Sequence, residues 1–331
     1  MVALFPSLPP TLMRDYVPPW RCALAVAVVS ATMAGCGGGA AKPDADFAGP
    51  LGLGNGRDIY MECRGSGFPT VVLVSGLGER ADNWMTLPDP APADRAVYPA
   101  VAGFSRVCAY DRPGTATATA TGWALSRSTQ VQRLATVKDS AADLNLLLTA
   151  SGETGPYVLV GHSLGGPIIR LYAADHPADV AALVLDDGLS EDLGDGLTPE
   201  QLANFERLND PAAQGRPAGS EDTFFSAAVV PQLRAARPPP RVPTIVLSAD
   251  TWPLTAEAIA SGAFPPFVDQ AFSDALWASQ LAAQNKLAAK LPGARHISNT
   301  HATHYIHIDN PQVVTAAIRE AVDDVRSTAA R

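Results

Sequence analysis

Lysine is scarce in this chain. Of the 24 basic residues only Lys42, Lys138, Lys286 and Lys290 are lysine, and 33 acidic residues outnumber the basic set to leave a net charge of −9. Binding to nucleic acid needs clustered basic side chains to neutralise phosphates, so a nucleic-acid partner is excluded. Charged residues of both signs make up only 17% of the chain and hydrophobic ones 47%, a balance that belongs to globular proteins rather than disordered ones. No internal repeat is visible. Long apolar runs are equally rare, which argues against a protein of many membrane spans. The single candidate span lies between Arg21 and Lys42, and its second half is glycine-rich and weakly apolar.

That region reads better as an address. Arg14 and Arg21 precede the short apolar stretch CALAVAVVSATMAG, and small residues follow, the three marks of a secretory signal. The tetrapeptide Met33-Ala34-Gly35-Cys36 resembles the bacterial lipobox, which implies lipidation of Cys36 as the new N-terminus. The expected organisation is therefore a lipoprotein-type signal peptide over 1–35, a tether over 36–49 and one folded domain over 50–331. The expected location is outside the cytoplasm, on a bacterial membrane through a lipid anchor.

The body alternates strand-like and helix-like segments, which predicts an α/β fold with a mostly parallel sheet covered by helices on both faces. Asn55-Gly56 is a hairpin signal joining a strand near 51–53 to one over 59–63. Further strands are expected over 70–75, 106–110, 156–160, 180–185, 243–249 and 294–299, about eight in all. Val131, Leu134, Val137, Ala141, Leu144 and Leu148 recur at spacings of three and four, predicting a helix over 131–150. Others are expected over 167–175, 274–291 and 311–326. The stretch 188–241 breaks the alternation with two helix-like pieces, over 199–208 and 221–237, and is long enough to be a lid.

The chemistry centres on Tyr157–Gly166, YVLVGHSLGG. A buried strand runs into Gly161-His162-Ser163-Leu164-Gly165 and a helix follows, the arrangement of a nucleophile elbow with Ser163 at its tip. Serine needs a base within hydrogen-bond reach. His304, in HATHYIHIDNP after the last strand, is the candidate, with His301 and His307 as competitors. The base needs a carboxylate, and the reading favours Asp250 at the end of TIVLSA, with Asp187 at the end of the preceding strand as the alternative. The backbone N–H groups of Leu77 and Leu164 are the expected oxyanion hole. The spacing of His301, His304 and His307 does not suit a metal, since no cysteine or glutamate lies close by to complete a set. His162 and His176 read as structural or solvent-facing.

Across residues 50–328 the chain resembles the α/β-hydrolase superfamily, through SGLG, RVCAYDRPG, GHSLGG, VLSAD and HYIH-x-x-x-P in that order. It departs at Ser75, where the superfamily often carries histidine. The resemblance implies a cofactor-free hydrolase, and serine at the elbow sets it apart from the dehalogenases and epoxide hydrolases that use aspartate there. It also implies a strand order that sets the second and fourth strands side by side, and with it a Cys63–Cys108 disulfide, favoured outside the cytosol. Leu202, Phe205, Leu208, Phe224, Phe225, Val229 and Leu233, with Trp252, Phe264, Phe267 and Phe272, are expected mainly to pack the lid, some facing the serine. The expected activity is ester hydrolysis through Ser163, His304 and Asp250 on a small, apolar substrate, with the alternatives of the same fold acting on another bond (amide, lactone, carbon–carbon or perhydrolysis) or a catalytically silent binding module.

Overall fold

The computed structural model describes residues 45–54, 56–88, 91–119, 121–130, 136–220, 225–262 and 264–330. The expected signal peptide, the lipobox-like segment with Cys36, most of the expected tether, Asn55, Val131, Leu134 and Phe224 lie outside the described residues.

Among the described residues ten strands are formed: β1 (Phe47–Gly54), β2 (Arg57–Arg64), β3 (Val71–Val74), β4 (Val107–Tyr110), β5 (Ala116–Thr119), β6 (Gly122–Leu125), β7 (Tyr157–His162), β8 (Val180–Asp186), β9 (Thr244–Leu247) and β10 (Arg295–Ile297). Eight of them make one sheet in the order β1-β2-β4-β3-β7-β8-β9-β10. The β1–β2 and β2–β4 pairs are antiparallel and every other pair is parallel. β5 and β6 form a separate hairpin that the sequence reading did not anticipate. Its Ala-Thr alternation is a period-2 pattern with little apolar content to announce it.

Strand β3 shows why both faces are covered. Its side chains alternate across the sheet, so Val72 and Val74 enter one core while Val71 and Leu73 enter the other. The second core is completed by α1 (Val97–Ala102) and, further on, by the C-terminal helix. The first is completed by α2 (Val137–Ser151) and α3 (Gly165–Asp175), together with apolar side chains of the insertion and of the long helix after β9. Helix α2 starts at 137 rather than 131 because Thr136 and Asp139 form a reciprocal capping box there.

Between β8 and β9 lie α4 (Pro199–Asn209) and α5 (Val230–Ala235). Of the helix expected over 221–237, the described part is helical from 225 to 235 in two successive forms. A wide helical turn, Phe225–Val229, leads into α5, and Pro231 has no N–H to continue an ordinary i to i−4 ladder. Phe205, Leu208, Val229 and Leu233 are buried in the core, as packing residues should be. After β9 come α6 (Ala256–Ala260), α7 (Gln270–Lys290), α8 (Ile306–Asp309) and α9 (Pro311–Ala329). Among the described residues no helix is long and apolar enough to cross a membrane.

Cys63 and Cys108 face each other in register on β2 and β4 and are joined as a disulfide, with Cα atoms 4.1 Å apart and a sequence separation of 45. A bridge closing a loop of this length is worth about 2–4 kcal/mol. The double variant Cys63→Ala/Cys108→Ala is expected to lose that much in denaturant unfolding. An unchanged unfolding midpoint would show that the bridge adds nothing to stability.

Candidate active site

Strand β7 ends at His162 and α3 begins at Gly165, so the chain must reverse over two residues. Ser163 sits at that reversal with φ of +49°, a left-handed conformation that costs an L-residue energy and that the surrounding structure must hold. Its N–H donates to the Asp186 carbonyl at 3.2 Å, and its carbonyl accepts from Leu189 N at 2.8 Å and from Gly166 N at 3.0 Å. The elbow is thereby pinned to the turn that follows β8. Gly165 has no room for a side chain, since a Cβ there would collide with the Val74 carbonyl at the end of β3. That close approach sets Leu164, directly after the serine, against the root of the loop carrying Leu77, and both leucines are buried.

His304 lies buried in the loop before α8, and its Nδ1 donates to Asp187 Oδ2 at 2.6 Å. Asp187 directly follows β8 at φ of +43°. Its Oδ1 accepts from Ala249 N at 3.2 Å, and its Oδ2 also accepts from Gln280 Nε2 at 3.2 Å, so both oxygens are held in place. With Nδ1 carrying the proton toward Asp187, His304 keeps Nε2 as the basic nitrogen. Burial pushes its pKa below the ordinary 6.5, against the opposing pull of the Asp187 hydrogen bond, so the ring is neutral at pH 7.

Asp250, the carboxylate favoured from the sequence, does not meet His304. Its Oδ1 accepts from Ala302 N at 3.0 Å and its Oδ2 stands 3.8 Å from Nδ1 of the exposed His301. The register explains the difference. Asp186 pairs with Leu247, so Asp187 is level with Ser248 while Asp250 lies two residues further along, where it braces the loop 301–302. The partner of His304 is Asp187.

The other histidines separate in the same way. His307 Nδ1 donates to Asp186 Oδ2 at 2.8 Å, His301 is exposed, and the His176 ring lies 4.8 Å from that of Tyr172 at the end of α3. The set 301, 304 and 307 does not converge. Glu79, His162 and His307 do, with one ligating atom from each within 4.8 Å of the others, all buried.

Two motif residues gain a role that the sequence reading did not assign. Arg112, in AYDRPG, donates from Nη1 to the Ser75 carbonyl at 2.6 Å and from Nη2 to the Gly76 carbonyl at 2.5 Å. Asp111 accepts from Ala81 N at 2.9 Å and from Arg127 Nε at 2.8 Å. The turn thus fastens the loop after β3 from outside. Ser75, the departure from the superfamily pattern, donates from Oγ to the Arg80 carbonyl at 3.2 Å and accepts from Trp84 Nε1 at 3.0 Å.

A family model described as the alpha/beta hydrolase fold matches residues 69–235, a segment that runs from β3 through the elbow into α5. The chain belongs to the α/β-hydrolase fold family. Over 120 residues it is 34% identical to "Putative carbamate hydrolase RutD" of Escherichia coli O157:H7, covering 36% of this chain and 38% of that protein. It thus spans well under half the length of that curated relative. Among solved structures it is similar to Est816, an N-acyl homoserine lactone degrading enzyme, at TM-score 0.55 and 18% identity over 82% of this chain and 99% of the other. It is also similar to a thermophilic esterase from Thermogutta terrifontis, at TM-score 0.51 and 19% identity over 84% of this chain and 99% of the other. Both likenesses concern the fold.

In this α/β-hydrolase the space beside His304 and Asp187 is narrow. Leu193, Leu276, Trp252 and Trp277 line a cavity of about 10 Å³, room for roughly one water. The two tryptophans stack with ring centroids 4.8 Å apart, and Trp252 Nε1 donates to Ser273 Oγ at 2.7 Å. The wall is apolar and aromatic, with Gln280 the polar exception.

Proposed function

We propose that this chain is a serine hydrolase that cleaves carboxylic esters through an acyl-enzyme. The observation that carries the reading is Ser163 held at positive φ on a strand-to-helix turn, its neighbour His162 against the carbonyl of a buried His304 whose Nδ1 donates to Asp187. Ser163 Oγ attacks the carbonyl carbon and passes its proton to His304 Nε2. Asp187 fixes the tautomer and stabilises the imidazolium that forms. The N–H groups of Leu77 and Leu164 receive the oxyanion. His304 then returns the proton to the leaving alkoxide, and water deacylates the serine by the same route. The Trp252–Trp277 wall favours a small apolar acyl group.

A carbamate differs from an ester only in the atom flanking the carbonyl, and the similarity to RutD makes it the second reading. The lipobox at Cys36 and a disulfide suited to an oxidising compartment support export and membrane attachment through lipid.

The test is a fluorophosphonate probe with peptide mapping, followed by a panel of p-nitrophenyl esters and carbamates of increasing acyl length. Ser163 is expected to carry the label and short apolar esters to turn over fastest. An unlabelled protein with no turnover on any member overturns the reading.

The pH profile supplies a second check. His304 must be neutral to accept the serine proton, so kcat/KM is expected to rise with pH through a midpoint below 6.5 and to be level at neutrality. An acid limb centred above pH 7 contradicts the buried environment described for His304.

A further inference from the structure

Directly before the serine, His162 is completely buried and both of its ring nitrogens are engaged. Nδ1 lies 2.9 Å from Glu79 Oε2, and Nε2 lies 3.0 Å from the carbonyl oxygen of His304. A carboxylate and a backbone carbonyl are both acceptors, and a neutral imidazole has only one N–H to give. One proton must therefore lie in each contact, and with Glu79 as a carboxylate the ring is doubly protonated. Glu79 is just as buried, and the same Oε2 accepts from Gly76 N at 2.7 Å. Gly76 leaves the space for this junction, since a Cβ there would stand 2.8 Å from His162 Nδ1.

Three segments meet on this ion pair. Glu79 and Gly76 belong to the loop carrying Leu77, His162 to the elbow carrying Ser163, and the accepting carbonyl to His304 itself. We propose that Glu79 and His162 are positioning residues, a buried pair that holds the oxyanion loop, the nucleophile and the base in mutual register during turnover. The inference rests on the serine-hydrolase reading above. It adds a role for two residues that touch no reacting atom. Displacement by about 1 Å can cost a hundredfold in rate, so a clamp on all three groups has a measurable effect.

The electrostatics agree with the geometry. Burial lowers the pKa of His162, but the Glu79 charge and hydrogen bond, the charge of Asp186 and the His304 carbonyl together more than offset it, and the pKa rises to about 9. Glu79 in turn is held far below the usual carboxylate range, the imidazolium beside it outweighing burial. The remaining groups facing the ring are His307 from α8, with ring centroids 4.4 Å apart and Nδ1 already bonded to Asp186, His304 at 4.8 Å, and Tyr305 at 5.5 Å. Deprotonation of His162 leaves one bare nitrogen facing an acceptor, so the clamp opens as pH rises through about 9.

Two measurements on the full chain test this. In 15N-histidine-labelled wild type, with the His162 signals assigned through His162→Asn, both ring nitrogens are expected at imidazolium shifts at pH 7. Kinetically, Glu79→Gln is expected to lower kcat by about 10- to 100-fold with KM within about threefold. Wild type should also lose activity in an alkaline limb near pH 9 that moves to lower pH in the variant. The NMR result covers the case in which a variant that unpairs a buried charge fails to fold. A neutral His162 at pH 7 overturns the proposal, as does wild-type kcat in Glu79→Gln at every pH. So does a stoichiometric metal ion held by Glu79, His162 and His307 in the purified protein, because it would occupy the proton's place. Failure of Ser163 to take the fluorophosphonate removes the reaction reading, and the role in turnover with it. Labelling with unaltered Glu79→Gln kinetics removes the clamp alone.

Discussion

Asp187→Asn is expected to lower kcat by about 10⁴-fold, while Asp250→Asn stays within a few-fold of wild type. The first figure is the usual cost of giving a catalytic histidine the wrong tautomer with the geometry kept. An asparagine amide at 187 can present its N–H to His304 Nδ1, turning the ring so that the proton sits on Nε2, where the serine needs a lone pair. Asp250 has no such leverage. It accepts from Ala302 N and lies at the exposed margin by His301, so its loss loosens a loop and leaves the base oriented. Steady-state kinetics on p-nitrophenyl butyrate decide it. Equal losses in the two variants, or a larger loss at 250, would reverse the assignment.

Ser163→Ala is expected to lose more, on the order of 10⁶ in kcat, since removal of the proposed nucleophile leaves only binding and oxyanion stabilisation. Folding should be unaffected. The hydroxyl is not needed for the elbow, which is held by the Ser163 backbone bonds to Asp186, Gly166 and Leu189. Alanine makes all three. Unchanged thermal unfolding together with lost turnover and lost probe labelling is the expected combination. A variant that keeps a tenth of wild-type activity would mean another group attacks the substrate.

Ser163 could be read from the sequence because its context is local: strand, reversal and helix are contiguous, and the glycines around it mark backbones in close approach. His304 was legible from its place between the last strand and the last helix. The choice between Asp187 and Asp250 was not, because both follow neighbouring strands. What separates them is the β8–β9 register and a positive φ at Asp187, and neither leaves a trace in residue type. Glu79 and His162 are 83 residues apart, and nothing in either residue's neighbours announces the other. Arg112 lies in a motif that was recognised as a turn, yet its contact with the Ser75 and Gly76 carbonyls is a property of the folded sheet. The eight-stranded sheet was expected nearly strand for strand, since its buried β-branched runs are continuous. The β5–β6 hairpin escaped because it carries no clear apolar period.

The place where the chain enters the sheet has a mechanical consequence. Phe47 pairs with Cys63, and Cys63 is bonded across to Cys108 on β4. A pull on the N-terminal end peels β1 from β2 one hydrogen-bonded pair at a time, then works along β2 from Arg57. It stops at Cys63, where the covalent bond takes the load. Behind that stop lie β4, the AYDRPG turn and the elbow. A chain held by its N-terminus under shear would therefore spend β1 and most of β2 as a fuse before any force reached Ser163.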